Sequence, residues 1–129
     1  MISTDAMIVR KAYGDFAKGD IPAVLAAFDP SITWHVPGHS PLSGDYRGND
    51  KVAGFFEHTM ALCDGNFAID VHQVLAESAV AVALVTVRAK RNGRSVAFPE
   101  VQVWRLADRK ITEVREFQGD EQTEDRFWS

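Results

Sequence analysis

Apolar residues recur at spacings of three and four between Thr4 and Lys18, where Met7, Ile8, Ala12 and Phe16 share a side and Val9 and Tyr13 flank them. That period predicts an amphipathic helix. Ser3 or Thr4 is its cap, Asp5 suits its positive end, and Gly19 stops it. Asp20 caps a second, short helix with Pro22 in its first turn, where a missing N–H costs nothing. Val24, Leu25 and Phe28 form that helix's buried face, and Asp29-Pro30 ends it. Ile32 to Val36 reads as a short strand, followed by a loop from Pro37 to Arg47 that is long enough to be functional. A third helix, Lys51 to Cys63, presents Val52, Phe55, Phe56, Thr59, Met60 and Leu62, and Asp64-Gly65-Asn66 stops it.

From Phe67 the period changes from helical to two. Phe67 to Ala76 alternates, Ala79 to Ala89 is almost wholly apolar and β-branched, and Asn92-Gly93 is a hairpin signal before Val96 to Leu106. Ala107-Asp108-Arg109 turns into a last strand, Ile111 to Gln118. The tail from Gly119 to Ser129 reads as a short docked helix with Asp120 near its start. Helices gathered early and a meander later predict an α+β fold, with a curved antiparallel sheet capped by the N-terminal helices. The concave side of such a sheet, closed by helices, is a natural pocket.

With 129 residues the chain is expected to form one domain, 1–129. A hydrophobic content of 46% and a charged content of 25% are ordinary for a globular protein, and the net charge of −4 is scattered. No basic patch points to nucleic acid. The single cysteine, Cys63, rules out an intramolecular disulfide and reads as a small buried hydrophobe. The N-terminus lacks a signal-peptide pattern, and no apolar run approaches the roughly 18 residues of a membrane span. A cytoplasmic chain with no membrane partner is the expectation.

The candidate chemistry starts at Trp34-His35-Val36-Pro37-Gly38-His39, where a short strand delivers titratable residues into apolar surroundings. Alternation places Trp34 and His35 on opposite faces, so an inward His35 sends Trp34 against a helix. His39 falls in the loop near the presumed mouth. The intervening Pro37 and Gly38 break the helical geometry that a His pair at this spacing needs for a metal, and no metal site is expected. Gln102 and Trp104 share a strand face with Phe98 and Leu106. A glutamine among such neighbours is either a pocket group or exposed, and a buried one needs hydrogen-bond partners. Glu100 is assigned to the rim or to solvent. Phe16, Phe55, Phe56 and Met60 are core residues that also serve as apolar cavity walls, and Gln118 ends the last strand.

Taken together, Lys18-Gly19-Asp20-Ile21, Asp29-Pro30-Ser31-Ile32-Thr33-Trp34, the Pro37-Gly38, Pro41, Gly44 and Arg47-Gly48 loop, Val101-Gln102-Val103-Trp104-Arg105-Leu106 and Lys110-Ile111-Thr112-Glu113 resemble the nuclear transport factor 2-like superfamily. The order of these segments is most similar to its SnoaL-like and ketosteroid-isomerase-like branch. The resemblance implies a cone of curved sheet capped by helices. It further implies a general base at the end of the first strand, a proton-donating group in a late strand and a tyrosine in the first helix, the last two holding a developing oxyanion. Laid along this chain, the base position falls on His35, the donor position on Gln102, and the tyrosine near Ala12, beside Tyr13. SnoaL-type cyclases place an acidic residue late in the chain, where Glu116 and Asp120 stand.

Two function classes follow. One is a cofactor-free enzyme that moves protons on a small hydrophobic carbonyl compound, with His35, Gln102 and Glu116 as its catalytic residues. Tyr13, Phe16, Trp34, His39, Phe55, Phe56, Met60, Trp104 and Gln118 bind the ligand. The other is a non-catalytic module for hydrophobic ligands. In either case a homodimer through the outer sheet face is expected, because the apolar residues of Val80 to Leu84 leave no wholly polar side.

Overall fold

The computed structural model describes residues 3–129. Ser3 caps the first helix, α1 (Thr4–Ala17), by accepting from the Ala6 N–H. Asp20 caps α2 (Ile21–Ala26) by accepting from the Ala23 N–H. Strand β1 (Phe28–Val36) follows at once, then β2 (Gly44–Arg47) and α3 (Asn49–Leu62). Four long strands complete the sheet: β3 (Phe67–Glu77), β4 (Val80–Arg91), β5 (Arg94–Ala107) and β6 (Lys110–Gln118). The tail forms α4 (Glu121–Trp128), capped by Asp120, which accepts from the Thr123 N–H.

The strands form one six-stranded sheet in the order β2-β1-β6-β5-β4-β3. Every neighbouring pair is antiparallel except β1 and β6, which run parallel. Bulges at His72 in β3 and at Thr112 in β6, opposite Arg105 and Leu106, interrupt the ladder, and such insertions bend and twist strands. The sheet curls, with α1 over β3 and β4 and α3 over β1 and β2. The strictly alternating burial of β4 and β5 shows the result: Ala81, Ala83, Val85 and Val87 point inward with Phe98, Gln102, Trp104 and Leu106.

Two boundaries and one helix face differ from the sequence reading. Phe28 belongs to β1 rather than to the second helix, because its backbone pairs with Ile111 of β6. Residues 44–47 form a strand within the expected loop, pairing Tyr46 with Trp34 and Asp45 with His35. Met7 is 58% exposed, because the buried stripe of α1 runs through Ala6, Val9, Ala12 and Tyr13. No helix of the described residues is long and apolar enough to cross a membrane.

Candidate active site

The concave side of the sheet and its helical cap line a cavity that opens to solvent, with about 750 Å³ of space between atoms when the adjoining solvent is included. Its walls are aromatic: Tyr13 and Phe16 come from α1, Trp34 from β1, Phe55 and Phe56 from α3, Trp104 from β5 and Trp128 from α4. The rings pack edge to face, with Trp34 and Trp104 centred 5.5 Å apart and Tyr13 and Trp104 5.0 Å apart. Ser40 and Leu42 add a contribution from the loop before β2.

Into this apolar space the sheet delivers a linked set of polar groups. The Trp104 indole N–H donates to the Tyr13 hydroxyl at 3.0 Å, and that hydroxyl donates to Gln102 Oε1 at 2.5 Å. The Gln102 amide donates in turn to Glu100 Oε1 at 3.1 Å. Glu100 also hydrogen-bonds Glu116 on one side and Glu124 on the other. At the far end the Trp34 indole N–H donates to Glu116 Oε2 at 2.8 Å. The chain of bonds thus runs from α1 through β5 to β6 and α4. Each carboxyl owes its place to local structure. Glu100, Gln102 and Trp104 alternate on one face of β5, Glu116 sits opposite Gln102 in the β5–β6 register, and Glu124 shares the inner face of α4 with Phe127 and Trp128.

Burial decides the protonation of this cluster. Desolvation raises Glu116 well above the usual carboxylate range, reinforced by the charge of Glu100. Desolvation also raises Glu100, to about 9, helped by Glu124. Glu124 rises less, to about 7: burial lifts it, the bond from Glu100 lowers it, and the charges of Glu116, Asp125 and Asp120 push it up again. At neutral pH, therefore, Glu116 and Glu100 hold protons and Glu124 is the first to ionise. Burial likewise keeps the Tyr13 phenol protonated. Two cavity-lining residues each keep a buried acceptor with no partner among the described residues, Glu124 Oε2 and Gln118 Oε1.

The first strand is turned the other way from the arrangement in which His35 faces inward. Trp34 faces the cavity, so His35 lies on the outer face. There its Nδ1 meets Asp45 of β2 at 2.7 Å and its Nε2 meets Glu113 of β6 at 3.3 Å. His35 therefore joins three strands and does not reach the cavity. The His39 side chain is 95% exposed, with its Nδ1 3.9 Å from Asp125 Oδ2, and its backbone N–H donates to the same carboxylate at 3.0 Å. Met60 is absent from the cavity wall, because α3 turns Phe55, Phe56 and Thr59 inward instead. Tyr13, Phe16, Trp34, Phe55, Phe56, Gln102, Trp104, Glu116 and Gln118 all line the cavity. Asp120 is spent on capping α4. Cys63 is 1% exposed, and its thiol donates to the Thr59 carbonyl.

The sequence reading missed Glu100 and Glu124. Glu100 is 6% exposed and Glu124 2%, against the rule that carboxylates stay in water. The signal is parity: Glu100 lies two residues from Gln102 and four from Trp104, on the same face of the strand. Among the described residues no group of three or more His, Cys, Asp or Glu is placed to hold a metal ion.

Residues 9–114 match the family described as SnoaL-like domain. The chain belongs to the SnoaL-like family. Its fold is that of the nuclear transport factor 2-like superfamily. The uncharacterized protein Rv0034 of Mycobacterium tuberculosis is 30% identical to this SnoaL-like chain over 126 residues, covering 97% of it and 96% of the relative. Bal32a, from a soil-derived mobile gene cassette, superposes with a TM-score of 0.94 at 25% identity, over 98% of this chain and 97% of its own. An NTF2-like protein of unknown function from Burkholderia pseudomallei superposes with a TM-score of 0.90 at 26% identity, over 99% of both chains.

Proposed function

We propose that this SnoaL-like protein is a cofactor-free proton-transfer catalyst, of the isomerase, cyclase or dehydratase type, acting on a small hydrophobic carbonyl compound in the cone cavity. The observation that carries the reading is the staggered acidity of Glu116, Glu100 and Glu124 inside an aromatic enclosure. A base works best when its pKa lies near the working pH, and a hydrogen-bond donor to an oxyanion must keep its proton. Glu124 meets the first condition and Glu116 the second. In this reading Glu124 takes a proton from the carbon beside the carbonyl, and Glu116 donates a hydrogen bond to the oxygen as charge builds there. Glu100 passes the proton between them, and Gln102 holds Glu100 in place. The base role expected of His35 moves to Glu124.

The test is deuterium uptake at the α-carbon of a panel of aromatic ketones in heavy water. Glu124→Gln is expected to slow the exchange by roughly 10²-fold or more, the usual worth of a positioned base, while His35→Ala leaves it unchanged. Full exchange in Glu124→Gln would remove the reading. A binding-only role has one observation in its favour: Tyr13, Gln102 and Trp104 spend their polar groups on one another. A ligand that binds with no exchange at all supports that second role.

We also infer a homodimer through the outer sheet face. Leu75 is 59% exposed and Phe117 51%, and the half-buried Val82, Leu84, Val101 and Val103 lie between them across β4 and β5. A continuous apolar band of this kind suits a covered face. Light scattering is expected to give twice the 14.3 kDa chain mass, and a lower mass for Leu75→Asp. A monomer at micromolar concentration would overturn it.

A further inference from the structure

The cavity that holds Glu100, Glu116 and Glu124 is lined, among the described residues, by no lysine, arginine or histidine. Buried carboxylates are normally paired with a cation or hydrogen-bonded throughout. Here the three carboxyls have one another, Gln102 and Trp34, yet Glu124 is 2% exposed and its Oε2 has no partner among the described residues. Gln118 Oε1, beside the same space, is a second buried acceptor with no donor. Both vacant positions are acceptors, so the missing group is a donor. The walls narrow its nature further. Faces of tryptophan, tyrosine and phenylalanine attract cations, most strongly where water is excluded, and Tyr13, Phe55 and Trp128 line the same cavity as the carboxyls.

We propose that the cavity binds a hydrophobic organic amine as its ammonium ion, the charged head against Glu124 and Gln118 and the carbon skeleton between the aromatic walls. An ammonium supplies several N–H donors and a full positive charge, answering both vacant acceptors at once. A bare metal ion is a poorer occupant, since no cluster of the described residues is arranged to ligate one. An anion would find no cation on the cavity wall among the described residues. The groups facing Glu124 are Glu100 of β5, Glu116 of β6 and its own helix neighbours Asp120 and Asp125, all acidic. A bound cation favours the ionised form of Glu124, so affinity rises as pH climbs through about 7. An aliphatic amine keeps its proton over that range.

The experiment is titration calorimetry on the full chain with three ligands of one shape: naphthylmethylamine, naphthylmethanol and naphthoate. The amine is expected to bind about tenfold or more tighter than the alcohol, with naphthoate weaker than both. Its affinity grows between about pH 6 and about pH 8, and at about pH 6 binding releases protons, seen as a heat that depends on the buffer. In Glu124→Gln the preference for amine over alcohol collapses to about threefold or less, with circular dichroism and melting temperature checking the fold. Alcohol binding as tight as amine binding overturns the proposal, as does an amine preference that survives in the folded variant. Should the variant not fold, an affinity of the parent protein that stays flat or falls with pH overturns it as well. The proposal rests on the cavity being the ligand site but not on turnover. Ketone exchange without amine preference defeats this inference alone, and amine preference without exchange defeats the catalytic reading alone.

Discussion

Tyr13 and Gln102 stand 89 positions apart in the chain, and their side chains meet at 2.5 Å in the core. Gln102 is the hinge of the polar network: its oxygen accepts from the Tyr13 hydroxyl and its amide donates to Glu100. Removing it strands a buried donor and loosens a buried acid, and each lost partner leaves a desolvation cost of roughly 1–3 kcal/mol. Gln102→Leu is therefore expected to lose about 1–3 kcal/mol in urea unfolding at any pH. Gln102→Glu separates shape from charge. Protonated, the new side chain can accept from Tyr13 and donate to Glu100 as the glutamine does. Ionised, it adds a fourth carboxylate to the cluster. It is expected to match the parent near pH 5 and to fall behind it as pH rises. A Gln102→Leu variant as stable as the parent would show that the network contributes nothing.

At the scale of elements, α4 closes the cavity and carries Glu124, yet it is only eight residues long and holds few bonds of its own. Arg91, at the end of β4, pins it: the guanidinium donates to the carbonyls of Phe127 on α4, of Ser129 just after it and of Leu62 at the end of α3. Gly38 secures the other side. At φ +91° it sits so close to Asp125 that a Cβ there would strike the carboxylate, and that carboxylate accepts from the next amide, His39. Arg91→Met keeps the aliphatic stem and drops the donors. It is expected to speed hydrogen exchange in α4 by about tenfold, a loss of about 1.4 kcal/mol of local stability, while β4 and β5 stay protected. Unchanged α4 exchange would rule out Arg91 as the clasp. These elements also show what could be read beforehand. The long strands and helices declare themselves through period, and the docked tail helix through Asp120 and its final Phe127-Trp128. The four residues of β2 are too few to show a period. In β1 both Trp34 and Thr33 are buried, so alternation separates Trp34 from His35 without telling which faces in. Only the pairing with β2 and β6, a long-range fact, settles that direction and turns His35 away from the cavity.

For the whole molecule the carboxyl cluster makes folding stability a function of pH, and the sign can be worked out group by group. A buried acid whose folded pKa is raised holds its proton in the folded state after the unfolded chain has released it. Its stabilising contribution is complete below the unfolded value, near 4.5, and is lost as pH rises through the folded value. Glu124 reaches that point at about 7 and Glu100 at about 9, so stability declines in two stages across the neutral and alkaline range. The surface carboxylates act oppositely. Asp29, Asp45 and Asp120 are lowered by hydrogen bonds from Ser31, His35 and Thr123, and their contribution is present above 3.8 and lost in acid. The two trends meet in a maximum on the acidic side of neutrality. Scanning calorimetry is expected to give a melting temperature near pH 5 that exceeds the value near pH 9 by on the order of 5 °C or more. Replacing both buried acids, in Glu100→Gln with Glu124→Gln, is expected to flatten the alkaline limb and leave the acid limb in place. A parent protein equally stable at both pH values would mean that the three carboxyls do not share protons in the folded state, and the acid–base reading of the cavity would fall with it.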